Sequence, residues 1–88
     1  MARLLKLPES FSASTVDGEL VMIHRDTGRF FALKDVGLRI WEELDRTSDL
    51  EEICRSVEQE YAVAADACRR EVGTFADQLV EAGFARFA

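Results

Sequence analysis

Glu19-Leu-Val-Met-Ile-His-Arg-Asp-Thr-Gly-Arg-Phe-Phe-Ala-Leu-Lys-Asp-Val36 contains the one place in the chain where the hydrophobic period changes, near residue 34. Its first six residues are a β-rich run, and Arg25-Asp-Thr-Gly28 is a tight turn with Gly28 where a positive φ closes a type I turn and bulge. Arg29, Phe30, Phe31, Ala32 and Leu33 then pair back as a strand. Toward the N-terminus, Asp17-Gly18 is a turn dipeptide, and Phe11 to Val16 reads as a further strand with weaker alternation. The reading so far is a three-stranded antiparallel meander.

Beyond Lys34 the period is helical. Asp35 is expected to cap a first helix that carries Val36, Ile40, Trp41 and Leu44 on one side and ends near residues 45–47. Ser48 and Glu51 have capping-box spacing, and Leu50, Ile53, Cys54, Val57 and Tyr61 form the apolar stripe of a second helix. Asp66 is the expected cap of a third, with Cys68, Val72, Phe75 and Leu79 as its buried stripe, Gly83 at its C′ position, and Phe84 and Phe87 folding back. The fold class is α+β: a three-stranded antiparallel meander followed by three helices, winged helix-turn-helix-like.

With 88 residues, 48% hydrophobic, 32% charged and one proline, the chain makes a single domain over residues 1–88 with one small core. Residues 1–9 leave room for a flexible N-terminal tail. No stretch approaches the roughly 20 apolar residues that span a bilayer, and the first residues are too short an apolar run for a signal peptide, so no membrane contact and a cytoplasmic location are expected. Eleven basic against seventeen acidic residues give a net charge of −6, which disfavours nucleic acid. Arg69-Arg70 would suit a groove-reading helix, but Glu71, Asp77 and Glu81 follow on the same helix. A winged-helix DNA-binding domain or a protein–protein adaptor remains the alternative.

Catalytic apparatus is missing from the sequence. His24 is the only histidine, and there is no glycine-rich phosphate loop, HExxH or GxSxG. Cys54 and Cys68 make no CxxC and read as two small buried residues. Glu42-Glu43 and Glu51-Glu52 are adjacent on helices, about 100° apart, and read as solvated or helix-start charges. No enzyme, no cofactor and no metal site is expected.

A meander leaves its first and last strands with unpaired amides and carbonyls, and Arg29-Phe-Phe-Ala-Leu33 has neither a proline nor an inward charge to blunt that edge. Alternation sends Phe31 and Leu33 to one face and Phe30 and Ala32 to the other. On the third helix, Arg69, Gly73, Ala76 and Val80 form a small, mostly apolar flank beside the buried stripe. That flank suits either a peptide groove or close internal packing, and Glu71, Thr74 and Gln78 form the alternative flank.

The run from Asp26 to Leu33, then Val36-Gly37 and Ile40-Trp41, the Leu50-Glu-Glu-Ile53 helix, Tyr61 and the segment from Phe75 to Phe84 with Leu79 and Gly83 resemble the coenzyme PQQ synthesis protein D family over roughly residues 16–87. The resemblance implies a recognition element for ribosomally made peptides. A precursor's leader segment would add as a strand to the third strand, in a groove against the third helix, and be presented to a separate maturation enzyme, either a lasso-type protease and cyclase or a radical SAM enzyme. Carried onto this chain, the strand role falls on Arg29, Phe30, Phe31, Ala32 and Leu33, and the groove role on Arg69, Val72, Gly73 and Ala76.

Overall fold

A computed structural model describes residues 2–88. Among the described residues, two small sheets and three helices enclose one core. β1 (Leu4–Lys6) is followed by a single 3-10 turn over Pro8–Ser10, then β2 (Phe11–Val16), β3 (Glu19–His24), β4 (Phe30–Leu33), α1 (Asp35–Glu43), α2 (Leu50–Tyr61), α3 (Ala65–Glu81) and β5 (Ala85–Phe87). The meander β2-β3-β4 and the three helices agree with the reading from sequence. The third strand of that reading is β4.

The turns have the chemistry their residues suggest. Val16 pairs with Glu19, so Asp17 and Gly18 alone connect β2 to β3, at φ 50° and 81°. Two left-handed residues are what a type I′ hairpin requires. Gly28, at φ 74°, closes the turn into β4 by donating its N–H to the His24 carbonyl at 3.0 Å.

A second sheet was not foreseen. β1 pairs antiparallel with β5, with Leu4 opposite Phe87 and Lys6 opposite Ala85, so residues 4–6 of the expected tail are structural. Met1 lies outside the described residues. Leu4 is 1% exposed, its N–H donates to the Ser48 carbonyl at 2.9 Å, and the Lys6 ammonium sits 4.3 Å from the centre of the Trp41 ring. Ribbons of three residues form only against an existing core, which single-segment patterns do not reveal.

The caps differ from expectation in all three helices. Asp35 has a left-handed φ of 51° and is the first helical residue, so its tolerance of that backbone region replaces the capping role; Lys34 occupies the N-cap without a side-chain bond. At α2 the cap is Asp49, whose carboxylate accepts the Glu51 N–H at 2.9 Å, while the Ser48 hydroxyl accepts from Arg3 instead. α3 starts at Ala65 without a side-chain cap, and Asp66 lies in its first turn. Its C-terminus agrees with the reading: the Phe84 N–H donates to Leu79 at 2.9 Å and the Gly83 N–H to Val80 at 3.1 Å, a Schellman motif with Gly83 at φ 85°.

Phe84, fully buried, is the centre of the core. Its ring meets those of Phe11, His24 and Phe31 at 5.5, 5.7 and 5.2 Å, and Phe11 meets Trp41 edge-on at 5.6 Å. Phe87, expected to fold back, is 41% exposed on β5. The buried stripe of α3 is Cys68, Val72, Ala76 and Leu79, with Ala76 in the place expected for Phe75, which is only partly buried.

Glu43, expected on a solvated face, is buried at 6% exposure between α1 and α2. Arg46 holds both its oxygens at 3.3 Å, and Arg39 lies at 3.8 Å while also binding Glu60 at 2.9 Å. The Arg46 hydrogen bonds hold the Glu43 carboxyl below the usual glutamate value of 4.5, against the opposing effect of burial. A carboxyl lowered in the folded state stabilises fully above its unfolded value, and the contribution is lost as pH falls through the folded one. Thermal melts from neutral pH down to about pH 3 should therefore show an acid-side loss of stability that is shallower in Glu43→Gln. Identical acid limbs in the two proteins would remove this network from the account.

Candidate functional site

The exposed edge of β4 has a defined parity. The His24 N–H donates to the Arg29 carbonyl at 2.8 Å, which makes that cross-strand pair hydrogen-bonded. Antiparallel pairs alternate, so Phe31 with Met22 and Leu33 with Leu20 are hydrogen-bonded pairs, while Phe30 with Ile23 and Ala32 with Val21 are not. The N–H and C=O groups of Phe30 and Ala32 thus point away from β3, to the open edge. A peptide strand laid there would meet donors and acceptors already held in extended geometry.

Side chains follow the expected alternation. Leu33 is buried and Phe31 half-buried against Phe84, whereas Ala32 is exposed and Phe30 is 68% exposed beside Ile23 at 49%. Arg29 is exposed at the start of the edge, its N–H bonded to the Thr27 hydroxyl at 3.2 Å.

Just beyond the end of β4, the chain forms one wall of a pocket of about 330 Å³ lined by Val36, Ile40, Val57, Val63, Ala67, Cys68, Glu71 and Val72. α1 supplies Val36 and Ile40, α2 supplies Val57, α3 supplies Ala67, Cys68, Glu71 and Val72, and the link after α2 supplies Val63, which is 39% exposed at the rim. All of these except Glu71 are apolar or thiol-bearing. The pocket can take an aliphatic or small aromatic side chain. Burial pushes the thiol of Cys68 up, and that of its neighbour Cys54 up to about 12. Both stay protonated, and a protonated thiol is a poor nucleophile. Cys68 donates to the Cys54 carbonyl at 3.6 Å, and neither cysteine is part of a disulfide. Among the described residues no group of three or more His, Cys, Asp or Glu could hold a metal ion, and no helix is long and apolar enough to cross a membrane.

The expected α3 residues separate. Val72 lines the pocket from the core side, at 1% exposure. Arg69 turns to α2, where its guanidinium pairs with Glu51. Ala76 is 1% exposed and fills the core, which departs from the expectation that it lines a groove: its methyl is enclosed by the packing of α3 on the domain. Gly73 is half-buried, and a Cβ there would meet nothing within 4 Å, so close internal packing does not explain that glycine. The pocket opens on the other flank, at Ala67 and Glu71. Sequence reasoning had named Glu71 only as the alternative, and had assigned Val36, Ile40 and Val57 to the core. The available signal was Arg69 itself: with glutamates at positions 51 and 52 of the preceding helix, an ion pair draws that side chain toward α2.

The geometry has counterparts among solved structures. One, TbiB1 in complex with the TbiA(beta) leader peptide, is 29% identical, with a TM-score of 0.82 over 93% of this chain and 95% of that one. Another, a lasso peptide synthetase B1 complexed with the leader peptide, is 22% identical, with a TM-score of 0.79 over 97% and 99%; at that identity the likeness is one of fold. No curated protein matches the sequence. Residues 19–85 match the family described as coenzyme PQQ synthesis protein D (PqqD), a span that contains β3, the β4 edge, the three helices and every pocket residue. The chain belongs to the coenzyme PQQ synthesis protein D family.

Proposed function

We propose that this protein binds the leader segment of a ribosomally made precursor peptide and presents it to a separate maturation enzyme. The leader adds as a strand to β4 through the outward amides and carbonyls of Phe30 and Ala32, and sets an apolar side chain in the pocket between α1 and α3. The observation that carries this reading is the adjacency of the two features along the chain: an unblunted edge strand ends at Leu33, and Val36 shortly after it lines an apolar pocket. Main-chain bonds supply affinity that is indifferent to sequence, and the pocket supplies selection. The leader peptides bound by the similar structures support the same reading.

Relative to the sequence expectation, the strand role stays on Phe30, Phe31, Ala32 and Leu33 with Arg29 at its start. The groove role moves to Ala67, Glu71 and Val72, and Gly73 lies outside the pocket lining. The protein acts as a binder: its thiols are held protonated and its single histidine packs against Phe84. A nucleic-acid role has less support, because Arg69 is neutralised by Glu51 on a chain of net charge −6.

Titration of the purified protein with a synthetic leader peptide of its precursor tests the reading. Ala67→Trp fills the pocket from a partly exposed helix position, and should weaken binding by about 1 to 3 kcal/mol, the range for loss of a buried anchor. Unchanged affinity in a folded Ala67→Trp variant would remove the pocket from the site.

A further inference from the structure

We propose that Glu71 makes the pocket selective for a peptide in which a lysine or arginine stands within one or two residues of the aliphatic anchor. The inference rests on the peptide-binding reading above and adds a charge requirement to it.

Glu71 is the one ionisable carboxylate among eight lining residues, and it is exposed at the rim. No side chain of the described residues bonds to it. Its helix neighbours at three and four positions are Ala67, Cys68, Thr74 and Phe75, none of which is a cation, so no ion pair along α3 can satisfy it. Of the arginines, Arg69 pairs with Glu51 and Arg39 with Glu60 and Glu43, and Arg70, one residue before Glu71, projects about 100° away around the helix and forms no ion pair with it. Glu58 adds to the negative field, since its charge acts on the pocket residue Cys68.

A wholly apolar ligand that covered the pocket would strip water from the Glu71 carboxylate and return nothing, and such desolvation is costly for an ion. A ligand with a cation beside its aliphatic anchor repays that loss with a charge-assisted bond. The pocket thus discriminates against purely aliphatic segments as well as favouring basic ones, and both effects enter specificity.

The test is a selection of displayed random peptides, about 12 residues long, on the full wild-type chain and on Glu71→Gln, Glu71→Lys and Ala32→Pro in parallel. Because Glu71 is exposed and unpartnered, the first two variants should fold as the parent does, which circular dichroism checks. Wild type should enrich peptides with Lys or Arg within two positions of Leu, Ile or Val. Glu71→Gln should keep the aliphatic residue and lose the basic one, and Glu71→Lys should favour Asp or Glu in its place. A synthetic wild-type-selected peptide should bind Glu71→Lys about two- to fivefold more weakly, a gap that narrows as salt rises. If Glu71→Gln enriches the same basic peptides as wild type, the charge role of Glu71 is wrong while the strand reading stands. If a folded Ala32→Pro enriches them as strongly as wild type, the strand reading itself fails, and a wild-type selection that enriches no related peptides counts against both.

Discussion

Ala32→Pro should lower affinity for the leader peptide at least tenfold while the domain stays folded. The Ala32 N–H belongs to a non-hydrogen-bonded pair with Val21, so the ring removes a donor that the fold does not use and that an added strand does. Its bulk also stands at the exposed edge, where proline is tolerated in sheets. Losing one main-chain bond costs about 0.5 to 1.5 kcal/mol, and the steric block to close strand approach adds to it. Phe30→Pro acts by the same route. Phe31→Pro is the contrast, because its N–H lies on the β3 side, opposite Met22, and its loss should cost about 1 to 3 kcal/mol of stability. Melting curves and peptide titrations on the three variants separate the two outcomes. Equal binding by wild type and a folded Ala32→Pro would place the peptide elsewhere.

Gly83→Ala should be among the most destabilising single-methyl changes in the chain. Gly83 has φ 85°, where a Cβ costs about 1 to 2 kcal/mol, and the added carbon would lie 2.7 Å from Nε2 and 3.0 Å from Cδ2 of His24. The imidazole has little freedom to retreat. Its Nδ1 accepts the Asp26 N–H at 3.2 Å, and its ring stands edge-on to Phe84 at 5.7 Å. Overpacking of this kind adds about 1 to 3 kcal/mol, so the total is about 2 to 5, or on the order of 10 to 30 °C in Tm for a domain this small. The two parts can be told apart in a double-mutant cycle with His24→Ala, which should recover the steric part and leave the φ part. Additive effects of the two substitutions would mean that His24 is not what Gly83 makes room for.

Gly83 also illustrates how much the sequence revealed. A glycine after a long amphipathic run is legible as a helix terminator from local chemistry alone, and so are Asp17-Gly18 as a hairpin turn and the alternation of Phe30 to Leu33. That His24 would sit over Gly83, 59 residues apart by chain and close in the fold, follows only from packing. The same limit explains β1 and β5, whose three-residue segments carry no period of their own, and Glu43, whose burial depends on where Arg46 and Arg39 converge. On α3 the buried stripe was read one residue off, at Phe75 instead of Ala76, because a large ring outweighs a methyl in any hydrophobicity count while close packing of helices favours the smaller residue. The edge strand was therefore found from sequence, whereas the pocket beside it was not: its lining comes from α1, α2 and α3 together, and each residue taken alone looks like core.

Amide hydrogen exchange, resolved by residue with and without the synthetic leader peptide, tests strand addition most directly. The amides of Phe31 and Leu33 are already paired with β3 and should be protected in both states. Those of Phe30 and Ala32 should exchange quickly in the free protein and become protected when the peptide binds. Binding that leaves the Phe30 and Ala32 amides exchanging as fast as before, or that protects β2 instead, would contradict strand addition to β4.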